Sequence, residues 1–393
     1  MKPLLPGSTG ADGRPATLGV MGGGQLGRMF VRAAQAMGYY TAVLDPDPTS
    51  PAGRVADYHI QGSYTDEPGL AQLMQRSAAI TTEFENVPAA ALVTLGAHRP
   101  VAPAASAVAI CQDRAAEKAH FKRCGVPCAR HALIETEADL EAAAPLLPGI
   151  LKTSRLGYDG KGQAGVDTPA ALAAAWGELK QVPCVLEQRL ALEQELSVIV
   201  ARGADGAMVT LPVQQNLHRG GILAVTQVPA PDIGAEVQQQ AVQRTRELAA
   251  GLGYVGVLCV EFFQLEDGSL VANEMAPRPH NSGHWSIDAC DVSQFELQVR
   301  TLAGLPLPQP TQHSAAVMLN LLGELWFDAD GGRERLPPWR DVLALPGVHL
   351  HLYGKANARR GRKMGHLTAT APDAATARQR ALQAAALLGI AAW

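Results

Sequence analysis

The sequence predicts an α/β chain, α+β overall, built from a βαβ opening followed by mixed strands and helices. Three observations predict it. A short apolar strand near the N-terminus runs into a glycine-rich turn and then an amphipathic helix. From Ile150 the texture changes to strands separated by glycine turns. The C-terminal stretch reads as short strands and loops ending in an Ala-rich helix, with Pro372 and Asp373 as its start signal.

The elements follow in order. Met1 to Ala16 holds Pro3, Pro6, Gly7, Gly10, Gly13 and Pro15 and has no apolar h-region, so it reads as a loose leader and not a signal peptide. Thr17 to Met21 is a strand, Gly22-Gly23-Gly24-Gln25-Leu26-Gly27 the turn, and Met29, Phe30, Ala33, Ala34 and Met37 the apolar positions of a helix that Gly38 stops. Thr41 to Leu44 is the next strand, closed by Asp45-Pro46-Asp47-Pro48. Weaker signals carry this unit to about Gln112, and a helical run begins near Asp113. Ala235 to Leu252 is a polar-faced helix, and two strands then flank Glu266-Asp267-Gly268-Ser269. After about Leu302 come short strands and the helix Ala374 to Leu388.

Composition bounds the function. At roughly 150 residues per domain, 393 residues suggest two or three domains. With 18% charged and 47% hydrophobic residues, long disorder is disfavoured. A net charge of −4 argues against nucleic acid as the main partner. No run approaches the roughly 18 apolar residues that span a bilayer. The six cysteines form no CxxC pair, and Cys184 and Cys259 sit in apolar runs, as expected of buried thiols in a reducing cytoplasm.

Six constellations could carry chemistry. Gly22-x-Gly24-x-x-Gly27 matches a dinucleotide fingerprint, with Asp45 after the second strand where a ribose-binding acid would sit; a tight strand–helix turn that binds nothing fits the same residues. Ile150-Leu151-Lys152 followed by Gly157-Tyr158-Asp159-Gly160-Lys161-Gly162-Gln163 suits a flap over a polyphosphate, or a plain hairpin with two solvated lysines. A tight turn at Asp267-Gly268 pairs Glu261 with Glu274 on neighbouring strands. Opposed like charges need a bridge. Mg²⁺ is the natural one, with Asn273 as a neutral oxygen ligand.

Ala276-Pro277-Arg278-Pro279-His280-Asn281-Ser282-Gly283-His284-Trp285 follows at once and reads as a loop recognising a polar, anionic substrate. Lys355, Arg359, Arg360, Arg362 and Lys363 form a basic cluster fit for phosphate, or a solvated edge. Glu83-Phe84-Glu85-Asn86 is an acidic strand end, placed for a ligand or for capping a helix.

Together the glycine turn, the Gly157-to-Gln163 flap, Asn216 to Ile222, Asn273 to Arg278, His280 to Trp285 and Gly361 to His366 resemble the N5-carboxyaminoimidazole ribonucleotide synthetase family of ATP-grasp enzymes, from about Leu18 to the last helix. The resemblance implies an ATP-grasp fold with an N-terminal Rossmann-like preATP-grasp domain (17–113), an ATP-grasp domain (114–302) and a small C-terminal domain (303–393), after a flexible leader (1–16). It implies the partners ATP, bicarbonate and 5-aminoimidazole ribonucleotide, with Mg²⁺ or Mn²⁺. A cytoplasmic homodimer with no nucleic acid and no membrane is also implied.

For ATP the resemblance implies Arg114, Lys152 and Gly157, Tyr158, Asp159, Gly160, Lys161, Gly162 and Gln163 at the phosphates. Glu187, Gln188, Arg189 and Leu190 would line the adenine, Glu195 would take the ribose, and His218, Asn273 and Glu274 would lie beside the nucleotide. Glu261 and Glu274 would carry the metal. Gly24, Gln25, Leu26, Glu83, Asn86, Tyr158, Arg278, His280, Asn281, Ser282, Lys355, Arg362 and Lys363 would face the acceptor, with Arg278, His280, Asp159 and Lys355 catalytic. Outside this family, the glycine fingerprint alone would suit an NAD-dependent dehydrogenase, and another ATP-grasp ligase, such as a formate-dependent one, would share most motifs.

Overall fold

The structure is a computed structural model that describes residues 3–9, 13–157, 161–328 and 333–391. The first unit is a parallel sheet of β1 (Thr17–Met21), β2 (Tyr40–Asp45), β3 (Tyr58–Gln61) and β4 (Ala79–Thr82) in the order β3-β2-β1-β4. β1 is buried along its whole length, as a parallel strand covered on both faces must be. Helix Gln25–Ala36 follows the glycine turn, and Gly38, at φ +86°, ends it.

The leader is not loose over its described part. Leu4 N donates to Ala303 O at 2.9 Å, Tyr39 Oη donates to Leu4 O at 2.5 Å, and Leu4 packs on the core of this unit. A leucine with an apolar surface to cover and a partner for both its N–H and its C=O docks despite its proline-rich neighbours.

The second unit is an antiparallel sheet of β5 (His131–Ile134), β6 (Gly149–Thr153), β7 (Gln163–Val166) and β8 (Cys184–Gln188), in the order β5-β8-β6-β7. Ile134, Leu151, Leu172, Trp176 and Leu186 form its core under helices Glu137–Ala143 and Pro169–Glu178. β6 and β7 are the two arms of the flap, joined where Thr153 N donates to Gly162 O at 2.8 Å.

The third unit is one large sheet. β9 (Leu192–Arg202), β10 (Met208–Thr210), β11 (Gln214–Arg219), β12 (Ile222–Val228), β13 (Gly256–Leu265), β14 (Leu270–Ala276), β15 (Ala315–Leu322), β16 (Val348–Leu352) and β17 (Lys363–Ala371) run in the order β14-β13-β9-β11-β12-β15-β17-β16, with β10 on β9. The C-terminal segment is therefore not a sheet of its own: β15 pairs with β12 from Val225 opposite Leu319 to Val228 opposite Ala316. Its first seven residues are buried, so it needs neighbours on both edges. Helix Ala374–Leu388 covers this end, with Asp373 capping Thr376 N at 2.9 Å. No helix among the described residues is long and apolar enough to cross a membrane.

Candidate active site

Glu261 on β13 lies opposite Glu274 on β14, but the turn that sets this pairing is not the two-residue one expected. Leu265 N donates to Ser269 O at 2.8 Å, which closes a three-residue loop with Gly268 at φ +80°. That loop alone would offset the strands by one residue. A bulge at Asn273 takes up the difference, because Phe262 pairs with Ala272 and Glu261 with Glu274. The bulge also brings Asn273 and Glu274 to the same cavity wall.

Two cavities, of about 300 and 710 Å³, meet at this pair. Arg114, Lys161, Glu261, Glu274, His280, Asn281 and Lys363 border both. Glu261 Oε1 and Asn273 Oδ1 are buried and lack a hydrogen-bond partner. Burial, then the charge of Glu274, pushes the Glu261 carboxyl up to about 7. Burial acts the same way on Glu274, but Arg114, whose Nη1 is 3.1 Å from Oε2, and Lys152 hold it below the usual carboxylate range. Orphaned hard oxygens beside two carboxylates suit Mg²⁺ or Mn²⁺.

The smaller cavity gathers Lys152, Gln163, Gln188, Arg189, Leu190, Glu195 and His218. Ile150, Leu192 and Phe263 give it apolar walls fit for a flat ring. Glu187 also borders it, but its carboxylate is clasped, 3.0 Å from Lys118 Nζ and 2.8 Å from Lys152 Nζ. Glu195 is likewise engaged, by His218 Nδ1. Burial lowers the His218 pKa, and the Glu195 hydrogen bond with the charges of Glu261 and Glu195 outweighs that, so the imidazole is shifted up.

Glu187 makes stability pH-dependent. Burial raises its pKa, and the two lysines outweigh that and hold it at about 2. A depressed folded pKa means stabilisation that is present above the unfolded value and lost as pH falls through the folded one. Thermal melts between pH 5 and 2 should thus show a loss of about 3 kcal/mol that a Glu187→Gln protein lacks.

The larger cavity gathers Gln25, Leu26, Glu83, Asn86, Gly157 and Arg278. Lys355, Arg359, Arg360, Arg362 and Lys363 also border it, so the basic cluster faces a cavity and not a bare edge. Arg278 Nε pairs with Glu85, and this carboxylate, after burial and the guanidinium are weighed together, lies below its ordinary range. Lys355 Nζ donates to Lys363 O at 2.7 Å. His280 is held in one tautomer. Its Nδ1 accepts from Ser282 N at 3.4 Å and lies 2.9 Å from Ser282 Oγ, so Nε2 carries the proton, 3.6 Å from Glu261 Oε1. Burial, then Arg278 and Lys363, pushes the His280 pKa well down, so the ring is neutral.

Several expected contacts fall elsewhere. Ser282 is fully buried and borders neither cavity; it takes a hydrogen bond from Ser197 Oγ at 2.8 Å and orients His280. Asn281 does border both cavities, but its amide is also tied to Asn320 in a reciprocal pair at 3.0 and 2.6 Å. Gly162 borders neither cavity and shapes the flap turn at φ +71°. Gly24 is also off both walls. Its N–H and that of Gly27 donate to the Glu83 carboxylate at 2.6 and 2.8 Å, while Gly23 N and Tyr64 Oη take Asp45 at 2.6 and 2.7 Å. The glycine fingerprint is thus filled by the chain's own carboxylates. A Cβ on Gly24 would lie 2.4 Å from Glu83 Oε1, so the glycine is needed for that approach and no dinucleotide phosphate cradle remains. Tyr158, Asp159 and Gly160 lie outside the described residues.

The sequence reading missed Lys118, Ser197 and Asn320 as parts of the site, and it placed Glu85 at a ligand-facing strand end without its partner Arg278. Lys118 Nζ also donates to Asn273 O at 2.7 Å, a partner 155 positions away, and no local pattern announces such a contact.

Comparison with known proteins identifies the family. Models of an ATP-grasp domain, a ribonucleotide synthetase preATP-grasp domain and a phosphoribosylaminoimidazole carboxylase C-terminal domain match residues 119–295, 16–112 and 316–380. The N5-carboxyaminoimidazole ribonucleotide synthase of Brucella melitensis is 43% identical over 362 residues, covering 91% of this chain and 97% of that one. This chain belongs to the N5-carboxyaminoimidazole ribonucleotide synthase family. Among solved structures, the Staphylococcus aureus synthetase complexed with ADP matches with a TM-score of 0.87 at 36% identity, covering 97% of this chain and 98% of that one. The Aspergillus clavatus synthase in complex with ADP and 5-aminoimidazole ribonucleotide matches with a TM-score of 0.86 at 30% identity, covering 95% and 99%.

Proposed function

We propose that this chain carboxylates 5-aminoimidazole ribonucleotide with bicarbonate and ATP, giving N5-carboxyaminoimidazole ribonucleotide, ADP and phosphate, in purine biosynthesis. One observation carries the reading: a nucleotide-sized cavity and a cation-lined cavity join at Glu261 and Glu274. Triphosphate and acceptor can therefore meet at one point.

Glu261, Glu274 and the Asn273 side-chain oxygen would hold Mg²⁺, with Mn²⁺ as a substitute. When bound, the ion supplies positive charge to the triphosphate oxygens. Arg114 and Lys161, which border both cavities, meet the charge that develops as bicarbonate attacks the γ-phosphorus. Carboxyphosphate then falls to CO₂ and phosphate, and the acceptor amine takes the CO₂ and loses a proton. The flap between β6 and β7 keeps water from this labile species. Lys355, Arg362 and Lys363 hold the ribonucleotide phosphate. Arg278, fixed by Glu85, and neutral His280, donating from Nε2, hold the carboxylating end. A cytoplasmic homodimer completes the proposal.

Phosphate release measured with each co-substrate omitted in turn tests it. Release should need ATP, bicarbonate and 5-aminoimidazole ribonucleotide together. Equal release with formate in place of bicarbonate would overturn it in favour of a formate-dependent ligase.

A further inference from the structure

Behind the loop that carries His280, a second set of metal-ligating side chains converges. Asp288 lies on the short helix Ser286–Ala289, and His351 on β16 is the register partner of His366 on β17. One ligand atom from each lies within 4.8 Å of the other two. His351 Nε2 is 2.9 and 3.1 Å from the two Asp288 oxygens. The His351 and His366 rings stack at 4.5 Å, with 12° between their planes, so a shared ion requires one ring to turn out of the stack.

An independent observation points to a ligand. His366 is fully buried, and its Nε2 has no hydrogen-bond partner. Its Nδ1 lies 3.1 Å from Tyr353 Oη. One imidazole nitrogen steadied by an oxygen and the other left bare is the usual state of a metal-binding histidine. His284, with its ring 4.8 Å from that of His366, carries a second buried Nε2 without a partner.

We propose that Asp288, His351 and His366 bind a divalent transition-metal ion, Zn²⁺ fitting best. Two imidazole nitrogens and one carboxylate oxygen, with a fourth position open, are a zinc donor set, whereas Mg²⁺ prefers oxygens alone. The site is distinct in residues and donor chemistry from the Glu261–Glu274 pair. The ion would staple the helix after the acceptor loop to the two strands that flank Lys355 and lead from Lys363. It takes no part in the reaction, and the inference does not rest on the proposed activity.

The test loads the full chain with excess Zn²⁺ in Mg²⁺ buffer, removes unbound metal by gel filtration and counts zinc. Wild type and the exposed-surface control His98→Ala should keep about one ion per chain. Asp288→Asn and His351→Ala should bind at least about tenfold more weakly. Wild type loaded with Co²⁺ should show the intense visible bands of a four-coordinate, nitrogen-ligated ion, a readout that needs no variant to fold. Absence of those bands, no retained zinc, or equal retention in folded Asp288→Asn and His351→Ala would overturn the proposal.

Discussion

A Glu274→Gln protein should release phosphate from ATP about 100- to 1,000-fold more slowly than wild type, with bicarbonate and 5-aminoimidazole ribonucleotide both saturating. The exchange removes one of the two facing carboxylates and strips Arg114 of its partner at 3.1 Å. It keeps the side chain's size, so packing is not the cause of the loss. Losing a preorganised charge at the reacting phosphates is what sets the magnitude. A continuous phosphate assay read beside a thermal melt separates turnover from folding. Full turnover in a folded Glu274→Gln protein would remove the basis of the proposed chemistry.

Lys118→Met should destabilise the chain by about 3 kcal/mol. The ammonium is buried and bonds the Glu187 carboxylate at 3.0 Å and the Asn273 carbonyl at 2.7 Å. Methionine fills the space but leaves that carbonyl without its donor and Glu187 with Lys152 alone. Stability lost this way comes from uncompensated buried charge, not from a cavity. Urea unfolding should show a lower midpoint at unchanged slope. A Lys118→Met, Glu187→Gln double replacement should recover part of the loss, because it removes the charge left behind. An additive double mutant would show that the two groups do not share this energy.

Much of this architecture was legible because its signals are local. The strand, glycine turn and helix of the first unit lie within about 20 neighbouring positions, and Asp373 stands directly before the helix it caps. The facing of Glu261 and Glu274 was legible too, though by a route that differs in detail: a three-residue loop and a bulge cancel to the register that a two-residue turn would give. What stayed hidden depends on distant partners. Arg278 finds Glu85 across 193 positions, and Asn281 finds Asn320 across 39. Glu83 shows the same limit, with glycine partners 59 and 56 positions away. Its place at a strand end was plain, but only the folded loop reveals that its oxygens belong to the glycine amides.

The unbroken pairing from β14 through to β16 has a mechanical corollary. The acidic pair on β13 and β14 and the cations around β17 ride on one rigid plate, so their spacing resists change during turnover. Among the described residues, β5 to β8 pair as strands only with one another, and the ammonium of Lys118 rivets β8 to β14 from behind. On the proposed function, any gape that frees spent nucleotide would work against that rivet, and it would draw Gly157 and Lys161 away from the wall they lend to the larger cavity. Egress of ADP and entry of the next acceptor would therefore be linked through one movement of the flap.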